Sequence, residues 1–195
     1  MVADERALLR KGLWLEYATL AWNVVGVLIL AGAAIEARSV ALAGFGLDSL
    51  IEILASAVVV WQLKGAGKGR ERAALRIVAV SFVLLAAYIA IQAGYVLWTG
   101  ARPAPSPVGA LWLLATVLAM LALAAGKRAV GRALGNQVLI SESRVTLVDA
   151  RLATSMLVGV GLNVLLGWWQ ADPISGLVIV IYAAMEARAA WRHSG

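Results

Sequence analysis

Long apolar runs, separated by short basic or Pro/Gly-rich breaks, make up most of this chain, and several run for twenty or more residues. A helix needs about 20 apolar residues to cross a hydrocarbon core of roughly 30 Å, so such runs demand a bundle of membrane-spanning helices. The breaks divide the chain into six segments, at residues 12–33, 40–63, 73–99, 109–125, 139–169 and 173–191. The expectation is an all-α membrane protein: a single transmembrane domain of 195 residues, folded as a six-transmembrane-helix bundle.

Composition narrows the chemistry. Hydrophobic residues make up 62% of the chain and charged ones 14%, with a mean hydropathy of +0.86, which excludes a soluble enzyme. Cys is absent and the single His is His193 in the tail, which excludes a disulfide framework, a thiolate or imidazole zinc site, a Cys nucleophile and a Ser-His-Asp triad. Carboxylates, hydroxyls and amides remain. Paired carboxylates can activate water, but no substrate motif accompanies them, and the chain is read as no enzyme. The sequence pI of about 10.2 does not signal nucleic acid, because the basic residues stand at segment boundaries and form no basic face with interleaved aromatics.

Those boundaries set an orientation. Thirteen Lys and Arg flank the first segment's start, the 2–3 and 4–5 loops and the last segment's end, against only Arg38 and Arg102 on the other side. The positive-inside rule then places both termini in the cytoplasm, as in a multi-pass protein of a bacterial inner membrane. The first segment exceeds a signal-peptide core and carries Glu16 and Asn23, so it is read as a span. The run ARPAPSP at residues 101–107 is expected as a stiff external connector. Trp61, Trp98, Trp168, Trp169 and Trp191 fall near segment ends, where indoles anchor helices at the interface.

An ionised side chain at bilayer depth costs about 2.5 to 3.5 kcal/mol on insertion scales, so acids inside spans need a partner or a purpose. Five qualify: Glu16 on the first segment, Asp48 and Glu52 on the second, Glu142 and Asp149 on the fifth. At about 100° per residue, Asp48 and Glu52 lie only about 40° apart on one face. Gly44 and Ser56 extend that stripe, and small residues there let a neighbouring helix approach. On the fifth segment Glu142, Thr146 and Asp149 fall within an arc of about 60°. Like charges four residues apart repel unless a metal, protons or Arg neutralise them. Arg144 and Arg151 point away from the acidic face, leaving open a dimer contact or a tether to another helix's carboxylate on one hand and direct neutralisation of the acidic site on the other.

Weaker stripes comprise Glu16, Thr19 and Asn23, then Ser81, Tyr88 and Gln92, then Ser175, Tyr182 and Glu186, which read chiefly as interhelical hydrogen-bonding residues. Asn23 and Gln92 also offer neutral oxygens within reach of a cavity. The fourth segment, with only Thr116 near its centre, is expected to face lipid.

The run SVALAGFGLDSLIE at residues 39–52 is similar to the SxALxxxxxDSxxD pattern of the cation diffusion facilitator family, and GWWQADP at 167–173 resembles that family's entry into its sixth helix. The likeness extends over most of the chain, from about Leu13 to Trp191. It implies the cation efflux transmembrane fold, and a divalent metal held near mid-membrane by Asp48 and Glu52 of the second helix with Asp149 of the fifth. Zinc-selective members usually carry His four residues before that last Asp; here Val145 stands there with Thr146 adjacent. Thr146 shares the Asp149 face and is the better fourth donor. The family's usual cytoplasmic domain has no counterpart after Trp191, so the resemblance is to a compact, transmembrane-only member.

The expected function is secondary transport: efflux of a divalent cation in exchange for protons, with the acids serving both cargoes. Metal binding would expel protons and protonation would release metal. The cation is substrate, and no cofactor is expected. The partners are the lipid bilayer, the metal ion, protons and a possible second copy in a homodimer, and Glu16, Asn23 and Glu142 are accessory polar candidates. The alternative is a non-transporting membrane partner on the same bundle, with its acids serving assembly.

Overall fold

In the computed structural model, which describes residues 2–63, 68–135 and 137–193, the chain is 91% helical and, among the described residues, has no strand. The helices are α1 (Val2–Ala37), α2 (Val40–Leu63), α3 (Lys68–Thr99), α4 (Pro107–Leu134), α5 (Gln137–Leu166) and α6 (Ala171–His193). Among the described residues, four stretches are long and apolar enough to cross a membrane: Arg6–Ala37, Ala79–Thr99, Pro107–Leu134 and Val145–Leu166. In α2 the described apolar stretch, Val40–Ile51, is shorter.

Local chemistry sets the helix ends. Gly100, Gly135 and Gly167 stop α3, α4 and α5 in the left-handed region at φ of 66°, 61° and 65°, a conformation glycine adopts without steric penalty. The fifth helix therefore ends at Leu166 and not at the expected 169: the Gly167 and Trp168 amides fold back onto the Asn163 and Leu162 carbonyls at 3.0 and 3.4 Å. Arg38 is the exception. It holds φ 51° between α1 and α2, where an L side chain costs roughly 1–2 kcal/mol. The Ser39 amide reaches back to the Ala34 carbonyl at 3.2 Å, while Ser39 Oγ accepts from the Leu42 amide at 3.1 Å and so caps α2. Ser106 does the same for α4 through the Gly109 amide at 3.1 Å, with Pro107 in the first turn.

The connector 101–106 is tied down at both sides. Its Ala104 amide donates to the Ala37 carbonyl at 2.8 Å, and Asn163 Nδ2 of α5 donates to the Pro103 carbonyl at 3.0 Å. The most extensive packing joins α4 to α5 and α3 to α6, with α1 against α2 and α4. Leu42, Ile89, Leu113, Met156 and Ile179 are buried at the centre. Glycine allows the closest approaches: a Cβ at Gly44 would stand 2.8 Å from Ile179 Cδ1, and one at Gly159 would overlap Ser175 Oγ and lie 2.7 Å from the Ala171 carbonyl.

The fourth helix differs from expectation in length and in surroundings. It continues to Leu134, past the expected end at 125, so Lys127 is a helical residue and not part of a loop. Leu111, Leu114, Leu118 and Leu121 form an exposed apolar stripe, but Leu113, Thr116, Met120 and Lys127 face the interior. Thr116 Oγ1 accepts from Trp22 Nε1 of α1 at 3.1 Å, and the Trp22 and Trp112 rings stack with centroids 4.8 Å apart. The helix runs on because Lys127, 1% exposed, finds Glu16 of α1, 35% exposed, at 2.9 Å. Of the basic residues used for orientation, Arg6, Arg10, Lys11, Arg76, Arg128, Arg188 and Arg192 are exposed.

Candidate functional site

Three of the four metal-ligand candidates are buried in the bundle. Asp48 is 1% exposed on α2, and Thr146 and Asp149 are 2% and 5% exposed on α5. Asp48 lies within electrostatic reach of Asp149, across the α2–α5 contact. Its Oδ1 has no hydrogen-bond partner among the described residues. A carboxylate oxygen left without a donor at this depth costs free energy unless a cation or proton satisfies it. Thr146 shares the interior face of α5 with Asp149, whereas Val145 is 44% exposed and points outward. The side chains of Glu52 and Glu142 lie outside the described residues, although their backbone is helical. Arg151 is exposed; the Arg144 side chain also lies outside the described residues.

Small residues bring the partner helix to this face. At Gly44, one turn before Asp48, the neighbour is Ile179 of α6, and at Val40, two turns before it, the neighbour is Gly176. These contacts set α2 and α6 in parallel register. Continued along the chain, the register brings Ala183 to the level of Asp48 and Glu186 less than one further turn away. Glu186 is half-buried and within electrostatic reach of Asp48. Its spacing from Ser175 and Tyr182 was legible as a stripe, but the register that turns it toward Asp48 arises only from helix packing.

The accessory acids divide. Asn23 is buried and engaged on α1. Glu16 accepts from Lys127 through Oε2 and so joins α1 to α4, while its Oε1 is buried with no hydrogen-bond partner among the described residues. The signal that could have shown this is a lone Lys continuing the helical face of Thr116 and Met120.

Asp172 has a role that sequence reasoning left unassigned. Buried at the start of α6, it accepts from the Val40 and Ala41 amides at 3.0 and 3.3 Å and from the Ser39 hydroxyl. The acid thus satisfies the orphan amides of α2 and complements its positive end. The two runs 39–52 and 167–173 meet at this cap, which holds the first turn of α2 and, with it, Asp48 two turns further on.

The fold and the site together define an all-helical bundle with membrane-length apolar helices and a buried acidic pair. No model of a known protein family matches the chain, and a search of well-characterised proteins finds no match.

Proposed function

We propose that this chain is a six-span membrane transporter that moves a divalent metal cation, with Asp48 and Asp149 as its central ligands, Glu52 as the second acid of α2 and Thr146 as a neutral oxygen donor. The observation that carries the reading is Asp48: a carboxylate 1% exposed, with one oxygen lacking a hydrogen-bond donor among the described residues, facing a second buried acid across a helix contact. Two carboxylates of like sign close together in a dry interior repel, and a divalent cation or protons relieve that repulsion. Oxygen donors suit Mn²⁺, Fe²⁺ or Mg²⁺. Glu186, adjacent on α6, extends the acidic track beyond Asp48 and supplies a further proton-carrying group.

Transport follows by exchange. Metal entering between Asp48 and Asp149 displaces the protons that neutralise them, and protons returning from the opposite side release it. In this reading the termini are cytoplasmic, the membrane is the inner membrane of a bacterium and the direction is efflux; two copies pair in a homodimer. The likeness of the runs 39–52 and 167–173 to the cation diffusion facilitator pattern supports the same reading.

A second reading, a non-transporting partner protein, draws on Glu16. That membrane acid is engaged by Lys127 in holding two helices together, and an acidic pair used for assembly would fit the same bundle. Metal-stimulated proton flux across proteoliposomes separates the two. Transport predicts lumenal pH changes on adding Mn²⁺ that vanish in Asp48→Asn; a partner protein gives none.

A further inference from the structure

At the end of the bundle where α1 turns into α2, a half-open cleft of about 490 Å³ lies between that turn, α3 and the connector. Two guanidinium-bearing residues, Arg38 and Arg102, line its rim. These are the two basic residues that stand apart from all the others in the loop count. Among the described residues neither makes a hydrogen bond or ion pair, and no carboxylate lines the cleft. Asp172 is bound to Ser39, a lining residue, but its oxygens are already engaged by the α2 cap. The cleft is therefore a cationic recess without an internal counter-ion.

Backbone conformation sharpens the point. Among the described residues, the three other left-handed helix ends are glycines, and only the end that borders the cleft carries an arginine. The strain that glycine would relieve is carried here by a long cationic side chain, a backbone outlier of the kind that points to a function of the side chain. Below the rim the lining changes character. Tyr95, Gln92 and Tyr88 descend α3 on one face, while Ile35 and Val96 add apolar wall.

We infer that this cleft binds the headgroup of an anionic phospholipid. The phosphodiester sits between Arg38 and Arg102, whose planar guanidinium groups match phosphate oxygens in pairs. The glycerol region meets the Gln92 amide and the tyrosine hydroxyls, and an acyl chain follows the apolar wall. Size argues against a free anion, because one water needs only about 10–15 Å³ of such volume and the cleft has room for many waters. Charge argues against a zwitterionic lipid, since no lining carboxylate is present to meet its ammonium group. The inference rests on the membrane reading of the bundle and is independent of the metal site.

The test uses the full chain purified in detergent, titrated with short-chain phosphatidylglycerol, short-chain phosphatidylcholine or inorganic phosphate, with native mass spectrometry for adducts and thermal unfolding for stability. The expected result is a retained phosphatidylglycerol adduct and a raised Tm, at least fivefold weaker binding of phosphatidylcholine, and no response to phosphate. Arg38→Gly keeps or raises the lipid-free Tm yet loses tenfold or more in phosphatidylglycerol affinity, and Arg102→Gln loses a similar factor. Equal binding of the two lipids, phosphate binding as tight as the lipid, or unchanged affinity in both variants would overturn the inference. Loss of lipid binding with intact Mn²⁺ binding, or the reverse, tells its failure apart from failure of the transport reading.

Discussion

Lys127 of α4 donates to Glu16 of α1 across 2.9 Å from a position almost wholly buried, while Glu16 remains one-third exposed. The asymmetry predicts unequal mutants. Glu16→Gln strands a buried ammonium and should cost about 3 kcal/mol, the low end for breaking a buried pair, because the Glu16 side is partly open. Lys127→Met keeps the apolar volume of the stem and leaves the acid on a side chain one-third exposed, so it should cost less. Thermal unfolding in detergent checks the order, and the double variant should recover part of the Glu16→Gln loss. A Lys127→Met protein less stable than Glu16→Gln would contradict this account.

Asp172 satisfies two amides of α2 and the Ser39 hydroxyl, whereas Ser39 satisfies one amide. Asp172→Ala should therefore destabilise more than Ser39→Ala, for which a single N-cap sets a scale of about 1 kcal/mol. Unfolding midpoints of the two variants decide it, with equal losses counting against the shared cap.

Gly159→Ala should destabilise strongly, because the added methyl meets both Ser175 Oγ and the Ala171 carbonyl. Ser175→Ala in the same chain should rescue only part of the loss, since the backbone oxygen stays. Gly94→Ala, with nothing within 4 Å, serves as the control and should leave the Tm unchanged or slightly higher. Comparable losses at both sites would mean that α5 and α6 are not packed this closely.

Helical periodicity carried much of this in sequence. The apolar runs gave the helical elements, and the spacing of Thr146 and Asp149 placed them on one face, buried as that face would require. What sequence left hidden depends on partners far apart along the chain. Lys127 looked like a loop residue because a Lys next to Gly126 and Arg128 normally ends a span, and only Glu16, 111 residues away, explains its burial. Asp172 lies 133 residues from Ser39, so their shared cap has no local signature. Glu186 reads as one member of a weak stripe until the contacts at Gly44 and Gly176 fix the register between α2 and α6.

Selectivity offers a further check. Thr146 is interior and Val145 outward, so Thr146→His should raise Zn²⁺ affinity relative to Mn²⁺, as imidazole is the softer and stronger donor for zinc. Val145→His should leave the preference as it was. Competition titrations on both variants test this, and a zinc shift confined to Val145→His would mean that the other face of α5 lines the site.

The most direct measurement is calorimetric titration of the purified protein with Mn²⁺, for the native chain and for Asp48→Asn, a substitution that removes a charge while keeping the side-chain volume. Binding by the native chain that weakens tenfold or more in the variant, equivalent to about 1.4 kcal/mol, is the result predicted by a metal held at Asp48 and Asp149. Equal affinity in the two proteins, or no binding by the native chain, would contradict it.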